Sequence, residues 1–319
     1  MVANPARATG RAAVPITRGS CRAVIESGAM RVRFIFLGTG TSSGVPAIGC
    51  ECAVCTSTDP RDNRLRAAAA IVFEDADGQP RTILIDAGPD LRIQVLRAGL
   101  KRVDAILFTH NHVDHTFGLD EVRRFNALQK EAIPIYADEH TMGFLRRIYR
   151  HIFEKDRNVN DSFVASLIAH TFDEPFIERG GTLDLFGVRV TPFRMLHGGL
   201  PILSYRFELS ERMGAAGSPF PLAYCTDVSG VPPESWRHLR GLDTLVIDAL
   251  RHRKHPTHFT LGQAMEVAER IGPKATYFTH MAHELGFAAT QADLPEGMSL
   301  AWDGLELATQ QRSPASMDS

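Results

Sequence analysis

The chain has 319 residues, 44% of them hydrophobic and 23% charged, and a formal net charge of −2. Such a length buries a sizeable core as one large domain or two ordinary ones, and the nearly balanced charge argues against a general nucleic-acid-binding surface. No apolar run approaches the ~20 residues that span a bilayer. The Ala- and Arg-rich start also lacks the continuous apolar segment of a secretory signal.

Taken in chain order, residues 1–29 read as a disordered N-terminal extension, and RVRFIFLG opens the first strand at 32–37. Strand-like apolar runs recur at 69–73, 82–85, 105–108, 133–136, 188–193, 203–207, 222–225, 244–247 and 276–278. Apolar residues three or four apart predict helices at 89–98, 119–129, 141–152 and 261–271. In the last of these Leu261, Ala264, Val267, Ala268 and Ile271 share one face, and Gly272 with Pro273 ends it. No linker divides residues 30–308, which predicts a single α/β domain with two β-sheets in the middle and helices outside. A helical insertion is expected at about 140–180, where Phe144, Tyr149, Phe153, Phe163, Phe172 and Phe176 favour packing or dimerisation over contact with substrate. Residues 309–319 are polar and read as a disordered tail.

The chemistry concentrates in AILFTHNHVDHTFG, where a short apolar run feeds into His110, His112, Asp114 and His115. In extended backbone, residues two apart point the same way, so His110 and His112 can grip one ion. Asp114 and His115, on the turn that follows, face elsewhere and serve a second. His197, Asp227 and His280 each end a later apolar run, so a sheet stack can deliver all three to one edge. Imidazole and carboxylate donors of this kind suit Zn(II), Mn(II), Fe or Ni rather than Ca or Mg.

A second cluster, Cys50, Cys52 and Cys55, supplies three of the four ligands of a tetrahedral zinc, with His283 in FTHMAHELG as the best fourth. Five cysteines crowded in this way suit a metal better than disulfides, and without an export signal a reducing cytoplasm is expected. Cys21 falls in the N-terminal extension, and Cys225 reads as a buried packing residue.

The order HxHxDH, His, Asp, His resembles the metallo-β-lactamase superfamily over roughly residues 31–307, and the resemblance implies an αββα sandwich. It also implies that His110, His112 and His197 hold one metal, that Asp114, His115 and His280 hold another, and that Asp227 bridges them. Asp86, in LIDAG, resembles the family's supporting aspartate, which braces the ligand loop without binding metal. GTGTSSGVPAIGCECAVC, FTHNHVDH, THFTLGQA, FTHMAH and AWDGLEL together resemble the PhnP-type branch, the phosphoribosyl cyclic phosphodiesterases. By that resemblance Cys50, Cys52, Cys55 and His283 form a structural zinc site. His258 then lies near the metals, where it contacts phosphate or protonates the leaving oxygen.

The function so implied is a metal-dependent phosphodiesterase cleaving a small cyclic phosphate or nucleotide-like diester. Two divalent ions, Zn or Mn, would activate water, with Asp114 and His258 as catalytic residues. Two alternatives share parts of the pattern. One is an RNase Z-like RNA endonuclease, for which no Gly/Pro-rich basic arm is found. The other is a PqqB-like cofactor-biosynthesis protein, whose relatives depart from the full ligand set. The expected partner is a small phosphodiester, with no membrane or nucleic acid involved, and family precedent allows a homodimer. The basic run at 251–255 reads either as an attractor of anionic substrate or as a solvated loop.

Overall fold

The computed structural model describes residues 32–159, 163–213 and 217–308. The extension expected at 1–29, the tail at 309–319 and Cys21 lie outside the described residues. Among the described residues fourteen strands follow in chain order. The first seven are β1 (Arg33–Gly38), β2 (Ala68–Glu74), β3 (Pro80–Ile85), β4 (Ala105–Leu107), β5 (Ile133–Asp138), β6 (Leu167–Phe172) and β7 (Leu183–Leu185). They are followed by β8 (Val188–His197), β9 (Leu200–Leu209), β10 (Leu222–Cys225), β11 (Thr244–Asp248), β12 (Ala275–Thr279), β13 (Met298–Leu300) and β14 (Glu306–Ala308).

They form two seven-stranded sheets, ordered β14-β1-β2-β3-β4-β5-β6 and β13-β12-β11-β10-β9-β8-β7. Each sheet is antiparallel on one side and parallel on the other, the parallel runs being β3 to β6 and β10 to β13. Side-chain alternation explains the layering. Phe34 and Phe36 of β1 face the second sheet with Ile71, Ile85, Tyr205, Phe207 and Tyr224. Ile35 and Leu37 face the other way, onto Leu91, Val95, Leu119, Met142 and Leu145 from the outer helices. On the far side Ala223, Leu245, Ile247 and Phe278 meet Leu261, Ala264 and Ala268. Strands covered on both faces read as unbroken apolar runs, which is why the sequence identifies them so readily. The result is an αββα sandwich.

The helix Leu261–Ile271 matches its predicted bounds because both ends carry strong signals. Thr260 and Gln263 make a capping box, and Gly272 closes the helix at φ 65°. β8 runs past the predicted 193 to His197 despite Pro192. The reason is that β7 pairs only with Val188–Val190, so no strand needs the missing Pro192 N–H.

The region at 140–180 differs from the expected helical insertion. After the helices Glu139–Ile148 and Arg150–Phe153, it returns as β6, which adds to the first sheet parallel to β5. Tyr149 is buried and Phe144 and Phe153 are partly buried against the outer helical layer, while Phe172 and Phe176 pack between the sheets. Packing thus accounts for these aromatics, whereas Phe163 is 60% exposed. Among the described residues no helix is long and apolar enough to cross a membrane.

Candidate metal centre and cysteine clasp

The ligand candidates gather at one edge of the sandwich because of strand direction. β8 and β10 are both antiparallel to β9 and so run the same way, and β10, β11 and β12 are parallel. His197, Asp227 and His280 therefore leave alternate strands of the second sheet, β8, β10 and β12, at their carboxyl ends. On the first sheet, Asp86 follows β3, and His110 lies three residues beyond β4. Open α/β sheets bind ligands at such ends.

Asp86, Asp227 and His280 adopt φ of 65°, 57° and 57°. This left-handed conformation costs a non-glycine residue on the order of 1–2 kcal/mol, and it turns each side chain from the strand line into the centre. The helix Val113–Thr116 then presents Asp114 and His115. It sits directly on the LIDAG turn, since a Cβ on Gly88 would lie 1.9 Å from the Asp114 carbonyl oxygen.

Two four-ligand sets result, each with ligand atoms within 4.8 Å of one another: His110, His112, His197 and Asp227; and Asp114, His115, Asp227 and His280. Asp227 belongs to both. Its Oδ2 lies 3.1 Å from His115 Nε2, and its Oδ1 lies 3.1 Å from His280 Nε2. Asp114 Oδ2 lies 3.3 Å from His115 Nε2 and 3.7 Å from His280 Nε2. Despite this crowding, the buried Nε2 atoms of His110, His115 and His280 have no hydrogen-bond partner in the protein. Lone pairs that converge on common points instead of on donors are what a cation site requires, and a nitrogen buried without a partner costs about 1–3 kcal/mol. The donor set therefore fits divalent metal.

The opposite ring nitrogens are held from behind. Asp86 Oδ2 accepts from His115 Nδ1 at 2.7 Å and from Thr109 Oγ1 at 2.8 Å, and His110 Nδ1 donates to that hydroxyl at 3.0 Å. One carboxylate thus orients two imidazoles and leaves both Nε2 atoms toward the centre. His197 Nδ1 donates to the Thr257 carbonyl at 2.8 Å.

Burial pushes His197 down to about 4, and burial together with charge on His115 takes His110 well below its ordinary range. Both imidazoles are neutral at pH 7, with lone pairs free. His115 and His280 move up despite the cost of burial, because the Asp227 and Asp114 carboxylates face them. Asp114 stays well below the carboxylate range despite its burial, held there by His115 and His280.

His258 is buried, with its ring 4.7 Å from that of His197 and 4.8 Å from that of His280. Its Nδ1 donates to Asp248 Oδ2 at 2.6 Å. Asp248 is a residue the sequence analysis missed. It ends the apolar run TLVID just as Asp86 ends TILID, and that repeat is the signal that could have found it.

The cysteine cluster lies beside this centre. Cys50 Sγ and Cys52 Sγ lie 3.3 and 3.2 Å from His283 Nδ1, and the ligand atoms of Cys50, Cys52, Cys55 and His283 all fall within 4.8 Å. The Cys55 amide donates to Cys52 Sγ and the Ala47 amide to Cys55 Sγ. The Cys55 amide and His283 lower Cys52 to about 6, whereas burial pushes Cys55 up to about 11 despite the Ala47 amide. Cys225 is buried, as expected, and desolvation raises it to about 12. The clasp ties the N-terminal loop to the chain just after His280. There the buried Arg64 also donates to the carbonyls of Ala282 and Leu285, at 3.0 and 2.5 Å. Asp303 of AWDGLEL accepts from the Thr39 and Leu65 amides at 2.9 and 2.8 Å, fastening the same loop from the other side.

Residues 81–281 match the family model described as the beta-lactamase superfamily domain. The crystal structure of a diphosphatase from the PhnP family is 40% identical, with 88% of this chain and 98% of that one covered and a TM-score of 0.74. A curated relative from Porphyromonas gingivalis, named octanoyltransferase, is 32% identical over 277 residues, which are 86% of this chain. This chain spans about half of that relative, 51% of its length. Zinc-bound PqqB from Methylobacterium extorquens shares the fold at 19% identity, with 86% of this chain and 99% of that one covered and a TM-score of 0.63. The chain therefore belongs to the metallo-β-lactamase superfamily, as a metal-dependent hydrolase fold of the PhnP type.

Proposed function

We propose that this protein is a binuclear metal-dependent phosphodiesterase that hydrolyses a small cyclic phosphate or nucleotide-like diester. One observation carries the reading: Asp227 is shared between two complete four-ligand sets. His110, His112 and His197 would hold one cation, Asp114, His115 and His280 the other, and Asp227 both, with Zn or Mn matching these donors. When bound, such cations lower the pKa of water toward about 7 and neutralise charge on phosphoryl oxygens.

The chain's own residues do the rest. Asp86 and Thr257 hold the ligand imidazoles in one tautomer, so the centre needs little rearrangement to receive substrate. His258 is the candidate general acid. Burial and charge on His280 push it to about 4 in the metal-free chain. Asp248 Oδ2 holds Nδ1 at 2.6 Å, and an anionic phosphate docked alongside would favour the imidazolium. From there Nε2 can pass its proton to the departing alkoxide. Cys50, Cys52, Cys55 and His283 would hold a structural zinc that keeps the N-terminal loop against the strand end carrying His280.

The PhnP-family relative bears the name of a diphosphatase, and hydrolysis at phosphorus is common to that name and this reading. The proposed partner is the small diester itself, with a homodimer as the proposed assembly.

Metal analysis combined with a substrate panel tests the proposal. Expected are two metal equivalents at the centre, one zinc at the clasp, and turnover of bis(p-nitrophenyl) phosphate, 2′,3′-cyclic nucleotides or ribose 1,2-cyclic phosphate. Hydrolysis confined to a thioester or a β-lactam would overturn it, and cleavage of precursor tRNA would move the assignment to an RNase Z-like enzyme.

A further inference from the structure

We propose that Arg64 is a positioning residue that presets the chain at 280–285 for both metal sites at once, so that each site fills independently of the other. This rests on the reading of the centre and the clasp as metal sites, and it adds a side chain that touches neither metal.

One short stretch serves both clusters. His280 turns into the centre, and His283, three residues on, turns to Cys50 and Cys52. Two sites that shared a flexible segment would depend on one another, because the first metal would order the chain for the second. Independence requires that the segment be fixed before either metal arrives.

Arg64 does this fixing from a fully buried side chain. Its Nη1 donates to the Ala282 carbonyl at 3.0 Å and its Nη2 to the Leu285 carbonyl at 2.5 Å. The Leu285 amide donates to the Ala282 carbonyl at 3.3 Å, so the two carbonyls end a turn and His283 stands inside it. A planar guanidinium, with its N–H groups in a rigid fork, thus grips both ends of the turn that aims His283. Asp62 completes the bracket, its Oδ1 accepting from Arg64 Nη2 at 3.2 Å and from the Phe287 amide at 2.8 Å. Burying such an ion pair is costly, and apolar side chains would serve as well if this position needed only packing.

The backbone of the same arginine holds the other side. Arg64 and Val45 exchange both N–H···O bonds, at 2.8 and 2.9 Å, which fixes the entry to the cysteine loop. Gly40 lies so close that a Cβ there would come within 2.7 Å of the Arg64 carbonyl oxygen. On either side of Gly40, the Thr41 amide donates to the Met281 carbonyl at 3.1 Å and the Thr39 carbonyl accepts from the Met281 amide at 2.9 Å. Met281, next to His280, is therefore locked against the strand end that Arg64 supports. All of these bonds are made between protein groups.

Two measurements test the proposal. In the wild-type protein stripped of metal, the amides of Met281, Ala282, Leu285 and Phe287 should exchange with solvent as slowly as in the loaded protein. Their exposure on metal removal would overturn the presetting. The second measurement uses Arg64→Lys, which keeps a charge opposite Asp62 but loses the fork. In a chelator titration with Co(II), thiolate-to-cobalt absorption reports the clasp and the bound-metal count gives the centre. Affinity should fall about tenfold or more at both sites. The sites should also become cooperative. Cys50→Ser, which empties the clasp, should shift affinity at the centre by less than about twofold in the wild-type background and by about fivefold or more beside Arg64→Lys. A simple loss of stability would lower Tm without creating that coupling. Affinity lost at one site only, or two sites that stay independent in Arg64→Lys, would overturn the role of Arg64. Should Arg64→Lys fail to fold, the exchange measurement on the wild-type protein decides alone. A wild-type protein that takes up metal at neither cluster would instead sink the metal reading, and the presetting with it.

Discussion

The centre, two four-ligand groups that share Asp227, and the clasp, a single four-ligand group, are built on opposite principles. The clasp is nearly local, with three cysteines in six residues and one distant histidine, and its ligands are only half-buried. Its sulfurs take backbone N–H bonds. A site of this kind needs only a turn and one strand end, and it closes on its metal with no position left over. The centre instead draws its ligands from four strand ends and one short helix, and all but His112 are buried. Three of its residues, or their immediate supports, bear left-handed backbone. Behind its imidazoles, Asp86 holds His115, the Thr109 hydroxyl holds His110 and the Thr257 carbonyl holds His197, while Asp114 and Asp227 stay ionised, so the centre holds charge under strain. The lesson is that ligand chemistry alone does not separate a structural site from a reactive one. Burial, backbone strain and bracing partners do.

The comparison is broken most sharply at Asp227. Asp227→Ala should empty both halves of the centre and lower turnover by more than about a hundredfold while leaving the clasp zinc in place. Metal analysis should show one equivalent against the three expected of the parent, and full activity with normal metal content would reject the shared role.

Next comes His258→Ala, which should spare metal content and slow hydrolysis by about a hundredfold or more, most for substrates with poor leaving groups. A plot of rate against leaving-group pKa should steepen, and equal losses across the series would remove His258 from proton transfer.

Asp86→Asn probes bracing. The amide keeps one acceptor atom where the carboxylate uses two, so either the Thr109 amide or the pair His115 Nδ1 and Thr109 Oγ1 loses its partner, and metal affinity at the centre should fall about 10- to 100-fold. A competitive chelator titration measures this, and unchanged affinity would mean that the imidazoles hold their orientation unaided.

Cys52→Ser should have the smallest effect on chemistry and a clear one on stability. One zinc should be lost and Tm lowered, with kcat reduced less than in Asp86→Asn. Thiol alkylation at pH 8 adds a second readout: Cys50 should become reactive on loss of zinc, while Cys225, pushed up to about 12 by burial, stays unmodified.

Much of the architecture was legible because β1, β2, β3, β10 and β11 are covered on both faces and so carry unbroken apolar runs. Edge strands were harder. β7, β13 and β14 have three residues each, and β6 shows an exposed, alternating pattern that merges with the helices before it. They became strands because a neighbour offered free backbone groups, a cause that lies outside their own sequence. The ligand residues were recognisable by type and by position after strands. Asp248 was not, because one aspartate ending one strand carries no weight until His258 is seen donating to it.

What the sequence determined unaided was local: which residues could bind metal, where the strands that carry them end, and that the cysteines form a cluster apart. These follow from chain geometry over a few residues, where periodicity and donor chemistry operate. The tertiary structure decided that Asp227 falls within both ligand sets, that Asp86 lies behind His115, both as the resemblance implied, and that Asp248 holds His258 from behind. Those facts depend on which strand ends become neighbours when two sheets stack, and the packing of the sandwich chooses them.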